Sequence, residues 1–86
     1  MEKDLEKLFV TRIRRLGGWA IKMPAVFVTG LPDRLCLLPE GRCFFVELKQ
    51  EGQKPKKIQK YVHGKLRKLG FEVKIIDKIS QIAEIL

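Results

Sequence analysis

Apolar residues recur at helical spacing along the first stretch of the chain. Leu5, Leu8, Phe9, Ile13 and Leu16 fall on one side of a helix over about residues 2–16, and Gly17 and Gly18 supply its stop. The period then changes. Trp19 to Met23 alternates as a short strand does, and Pro24, Gly30 and Pro32 break the chain into a loop that presents Asp33. Arg34–Leu38 and Arg42–Lys49 are rich in strand formers and flank Pro39-Glu40-Gly41, a composition suited to a tight hairpin turn. After Gln50–Lys54, Pro55 stands where a first helical turn tolerates proline. Ile58, Val62, Leu66 and Leu69 then give a second helix one apolar face before Gly70. Phe71–Ile76 reads as a fourth strand, and Asp77 is placed to cap a last short helix carrying Ile79, Ile82, Ala83 and Leu86. The predicted order is αβββαβα. It describes an α/β fold in one small domain over residues 1–86, a mixed sheet flanked by helices. No internal repeat or dividing linker interrupts it.

Composition narrows the partners. A chain of 86 residues has a single core with little margin, so self-association is expected to help it. With 45% hydrophobic and 33% charged residues the chain is a folded globule rather than a disordered one. Its 18 Lys and Arg against 10 Asp and Glu leave a formal charge of +8, which attracts polyanions without saying which. Lys54, Lys56, Lys57, Lys60, Lys65, Arg67 and Lys68 follow one another with no acid between them, and Arg12, Arg14 and Arg15 form a second cluster. Such groups suit nonspecific phosphate contacts, and they equally suit a solvated helix face. One histidine and two cysteines leave no ordinary structural zinc set. Buried thiols are the expectation for Cys36 and Cys43, with a disulfide across the hairpin left open. Nothing at the N-terminus indicates export, and Ala25–Val28 is far too short to span a bilayer, so a cytoplasmic protein is expected.

The chemistry gathers on the central hairpin. Glu47 and Lys49 are two apart on a predicted strand, so their side chains leave the same face. Asp33 precedes the partner strand, and the hairpin returns that strand beside Glu47, allowing two carboxylates and an ammonium to converge. Hard divalent ions such as Mg²⁺ take a few carboxylate ligands and keep waters for substrate and nucleophile. A nearby ammonium adds positive charge where a phosphoryl transition state needs it. Each piece alone has an ordinary reading: an E-x-K triplet is a common polar pair on a half-exposed strand, and Pro-Asp is common in turns. Their order and spacing together are far more specific. Tyr61 and His63 have no partner that the sequence names, and a surface or core-edge histidine is the expectation for His63.

With Pro32-Asp33 followed by Glu47-Leu48-Lys49 in αβββαβ order, the chain resembles the PD-(D/E)xK nuclease superfamily. More closely it resembles a standalone VRR-NUC domain, the virus-type replication-repair nuclease family. That resemblance runs through Gly17-Gly18, Gly30-Leu31-Pro32-Asp33-Arg34, Phe45-Val46-Glu47-Leu48-Lys49 and Gly52 through Gln59, most of the chain. It implies a restriction-endonuclease-like core, with Mg²⁺ or Mn²⁺ held by Asp33, Glu47 and the Leu48 carbonyl. It implies Lys49 as a catalytic residue and Gln59 as a family residue on the second helix, where its amide is able to bond a metal-bound water or a phosphate oxygen. It also implies an acid on the first helix, for which Glu6 matches best and Glu2, one turn earlier, is the alternative. Lys22, Arg34, Lys54, Lys56, Lys57 and Lys60 are the expected nucleic-acid contacts. The implied protein is a metal-dependent DNA endonuclease, selective for branched or four-way-junction DNA, working as a homodimer without a nucleotide cofactor or a membrane, with phage-encoded proteins in the host cell among its expected sources. The competing readings are a noncatalytic basic nucleic-acid-binding module and a nuclease subunit that requires a partner. One departure from the family pattern is the loop Met23–Gly30, which is more apolar than the polar segment expected there and is read as supporting strand one or a dimer interface.

Overall fold

The computed structural model describes residues 2–24, 26 and 28–85. The chain runs α1 (Glu2–Arg15), β1 (Trp19–Lys22), β2 (Arg34–Leu38), β3 (Arg42–Leu48), α2 (Lys57–Lys68), β4 (Val73–Ile76) and α3 (Ile79–Ala83). The sheet order is β1-β2-β3-β4, antiparallel at β1–β2 and β2–β3 and parallel at β3–β4. The parallel pair requires a crossover, and α2 is that crossover. The expected αβββαβα order and mixed sheet are the observed ones.

The two sheet faces are unlike because strand side chains alternate. One face presents Ala20, Cys36, Leu38, Phe44, Val46, Leu48 and Ile76 to Leu5, Phe9 and Ile13 of α1, with Ile82 and Ile85 closing the same core. Phe9, Ile13, Cys36, Phe44 and Val46 are wholly buried there. The other face carries Glu47 and Val73 toward α2, whose buried residues are Val62 and His63. Both long helices end in the same motif. Gly17 N–H donates to Arg14 O and Gly18 N–H to Ile13 O, while Gly70 N–H donates to Arg67 O and Phe71 N–H to Leu66 O, satisfying the last carbonyls of each helix.

Several boundaries differ from the expected ones. β1 stops at Lys22, one residue short of Met23, whose N–H still donates to the Asp33 carbonyl and closes the base of the β1–β2 loop. Pro55 lies ahead of α2, whose N-cap is Lys56. Ile58 and Leu69 are exposed, because the strip of α2 facing the sheet passes through Gln59, Val62, His63 and Leu66 and leaves those two at one flank. Asp77 does not cap α3. The N-cap is Lys78, Gln81 Oε1 accepts from the N–H groups of both Asp77 and Lys78, and Asp77 Oδ2 accepts from Gly52 N–H. Ile79 is exposed, the helix being anchored through Ile82, and Leu86 lies outside the described residues. In the Met23–Gly30 loop, Val26 and Val28 are exposed and Gly30 is buried, while Ala25 and Phe27 lie outside the described residues.

The cysteines do not pair. The hairpin register sets Cys36 opposite Phe44 and Cys43 opposite Leu37, so the two thiols leave opposite faces, Cys36 into the core and Cys43 to solvent. Burial pushes the Cys36 thiol up to about 12, against a smaller opposing effect of Arg34. A thiol reagent at about pH 8 is therefore expected to modify Cys43 alone until the chain is denatured, since the thiolate is the nucleophile. Mass spectrometry of the native chain reads this, and comparable labelling of both residues would contradict it.

Candidate active site

Asp33 and Glu47 meet because of the hairpin. β2 and β3 pair Arg34 with Val46, and one step further the same register sets Asp33 opposite Glu47. The Asp33 carboxylate is held in place there, its Oδ2 accepting from Leu48 N–H at 2.8 Å. Alternation of backbone groups settles the direction of the Leu48 carbonyl. Lys49 N–H donates to Ile76 O on the β4 side, so the carbonyl of that same peptide points the other way, toward Asp33. Two carboxylates and a carbonyl thus share one end of the β2–β3 pair, where Pro32, fully buried, anchors the approach to Asp33.

Glu47 is 1% exposed, and a buried carboxylate is stable only when its charge is matched. Lys49 Nζ lies 3.3 Å from Glu47 Oε2, and Gln59 Nε2 donates to the same oxygen at 3.0 Å. Gln59 does this while its Oε1 accepts from Lys56 N–H at 2.8 Å, one half of a capping box at the start of α2. The cap fixes which way the amide faces, so its nitrogen is delivered to Glu47. A groove opens beside Lys49, lined also by Asp4, Leu5, Gln50, Asp77 and Ser80.

The expected residues are not all brought together. Glu6 is placed on Arg34, whose guanidinium reaches Glu6 Oε2 at 2.8 Å through one amine and the Ala20 carbonyl at 3.1 Å through the other. Arg34 is thereby engaged within the fold. The side chain of Glu2 lies outside the described residues. Lys22 is exposed at the end of β1, on the sheet face that Arg34 shares, away from Glu47. Lys54, Lys56, Lys57 and Lys60 are exposed, and Lys56 and Lys60 flank the edge of α2 that carries Gln59. Arg12 is partly buried, donating to the Ile85 carbonyl, and so belongs to the α1–α3 packing.

His63 is the residue that the sequence reading misses. It is 1% exposed, not at a surface or core edge, and its Nε2 lies 3.6 Å from Glu47 Oε1. Burial lowers its pKa, with the Arg67 and Lys49 charges adding to the effect and Asp33 opposing it, so the imidazole is neutral near pH 7. The available signal was its spacing. His63 is four residues after Gln59 and therefore on the same helix face.

No family model matches the sequence. The chain is 41% identical over 76 residues to "Putative nuclease p44" of Acyrthosiphon pisum secondary endosymbiont phage 1, a match covering 88% of this chain and 82% of the phage protein. Its fold is similar to that of a solved structure described as a VRR_NUC domain, with a TM-score of 0.90 and 33% identity, covering 98% of this chain and 91% of that one. A nuclease relative matched along most of its length and a domain of the same fold agree with the Asp33, Glu47-Leu48-Lys49 arrangement: the chain belongs to the VRR-NUC family of nuclease domains.

Proposed function

We propose that this chain is a divalent-metal-dependent DNA endonuclease of branched substrates, with Asp33, Glu47 and Lys49 at its centre. The observation that carries the reading is the placement of Asp33 opposite Glu47, with the Leu48 carbonyl turned to the same side and the Lys49 ammonium on the Glu47 carboxylate. Among the described residues no three His, Cys, Asp or Glu side chains cluster as a metal cage. An all-oxygen set of two carboxylates and one carbonyl is instead the donor set of a hard ion such as Mg²⁺ or Mn²⁺, which keeps several waters. Asp33, Glu47 and Leu48 would hold it, and bound there it supplies an acidified water and charge stabilisation at a phosphate. Lys49 contributes a fixed positive charge beside the scissile phosphate. Gln59 keeps Glu47 in one orientation through the helix cap.

DNA is held by its backbone. Lys54, Lys56, Lys57 and Lys60 are exposed on and before α2, next to the site, and bind its phosphates. Replacing any one of these lysines by alanine should lower the slope of log affinity against log salt by about 1. The working unit is a homodimer joined through the part of the sheet that α2 leaves uncovered. Trp19, Ile21, Leu35, Leu37 and Phe45 line that face, with Trp19 65% exposed and Phe71 edge-on to Phe45. These positions carry no charge on a chain of +8, so a second copy docks there without the repulsion it meets elsewhere and a polyanion gains nothing there. Two sites facing one junction then cut two strands. The wild-type chain is expected to sediment as a dimer and Trp19→Arg as a folded monomer, whereas a wild-type monomer at working concentration would overturn the dimer. No helix among the described residues is long and apolar enough to cross a membrane. The phage relative supports a phage-encoded protein.

The test of the function is cleavage of labelled duplex, single-stranded and four-way-junction DNA with Mg²⁺, Mn²⁺ or EDTA. Cleavage in either metal, strongest on the junction and absent in EDTA, is expected. Tight, metal-independent binding without cleavage of any of the three would overturn the enzyme reading.

A further inference from the structure

Resting on that reading, we propose that His63 is a positioning residue that holds Glu47 from behind, donating from Nε2 to the carboxylate oxygen that Lys49 and Gln59 do not take. Those two residues both act on Glu47 Oε2, and the His63 imidazole stands beside Oε1, its Nε2 3.6 Å away. His63 is wholly buried, and neither of its ring nitrogens makes a hydrogen bond. A buried donor without an acceptor is unfavourable, and a shift of about half an ångström closes this one onto Oε1.

Three directions of constraint then meet on one carboxylate: Lys49 from its own strand, and Gln59 and His63 from two positions one turn apart on α2. A ligand carboxylate anchored by a second group of side chains is pre-set for its ion, and loss of such anchors typically costs about 10–100-fold in metal affinity or activity. An apolar residue at 63 would fill the space between α2 and the sheet equally well, so packing alone does not require an imidazole here.

The experiment measures Mn²⁺ binding to the DNA-free chain by electron paramagnetic resonance, beside kcat and KM on junction DNA, for wild type, His63→Phe and His63→Gln. His63→Phe is expected to weaken Mn²⁺ binding and to lower kcat by about 10–100-fold. KM for DNA should stay near wild type, and His63→Gln, which keeps an N–H donor, should recover most of both. Should the variants not fold, the wild-type chain answers, since His63 is its single histidine: its ¹⁵N spectrum should show the Nε2–H tautomer and a shift of that nitrogen on Mg²⁺ addition. An Nδ1–H tautomer indifferent to Mg²⁺, or wild-type Mn²⁺ affinity and kcat in His63→Phe, would overturn this assignment alone. A wild-type chain that binds no Mn²⁺ would overturn the metal reading, and this assignment with it.

Discussion

Replacing Lys49 by alanine is expected to lower single-turnover cleavage by about 10²–10³-fold, roughly 3–4 kcal/mol of transition-state stabilisation, while changing DNA affinity little. The split follows from position. The Lys49 side chain is 12% exposed and lies against Glu47, where it neutralises charge at one point and offers little to a passing backbone. The cations that gather DNA are the exposed lysines on and before α2, and all of them remain in the variant. Lys57→Ala makes the contrasting case. It points outward from α2, so its cleavage rate at saturating DNA should stay within about twofold of wild type while the salt slope of binding falls by about 1. Anisotropy titrations in EDTA and single-turnover kinetics in Mg²⁺ separate the two quantities. A Lys49→Ala chain that cuts at about a third of the wild-type rate would mean that the ammonium only pairs with a buried carboxylate.

Gly30→Ala should be a severely damaging single-methyl change. Gly30 is buried at a φ of +93°, a conformation that L side chains rarely adopt. A Cβ there would stand 2.8 Å from the Ile58 carbonyl oxygen and 3.0 Å from Val62 Cγ2, approaches to α2 that are relieved only if the helix moves. Backbone strain and overpacking together are expected to cost about 2–4 kcal/mol. For a domain of this size that is a fall in Tm of about 10–25 °C. Gly41→Ala is the control, since its φ is +76° but a Cβ there meets nothing within 4 Å, so only the backbone term of about 1 kcal/mol applies. Thermal melts of the pair give the answer, and equal losses would mean that the β1–β2 loop does not bear on α2.

What was legible in the sequence is what short-range spacing governs. The Leu5, Phe9, Ile13 stripe and the alternation in β3 name the α1 face of the sheet almost residue by residue, because a helix has one period and a strand another. The Asp33–Glu47 approach was legible because a hairpin of known turn length has only one register. The same register counts against a disulfide: Leu38 pairs with Arg42, which puts Cys36 and Cys43 out of step. The side-chain partners were harder to read. Nothing local says that Arg34 will turn back onto Glu6, a choice made by how α1 lies across the sheet. Gln81, three residues after Lys78, marked the true cap of α3, but Asp77 was the stronger cap former by type. His63 was hidden because an imidazole on a lysine-rich helix looks solvated until the opposite wall is known.

Gln59 joins the first turn of α2 to the carboxylate at the bottom of the site, and helix ends are where local opening is least costly. The working geometry is therefore only as durable as that turn. On warming, the hydrogen bond to Glu47 lapses as soon as Lys56 and Gln59 separate, well before the core beneath α1 melts. Activity should then decline over a temperature range in which circular dichroism still registers a folded chain, and amide exchange at Lys60, whose N–H donates to the Lys56 carbonyl, should track that decline more closely than exchange in β3.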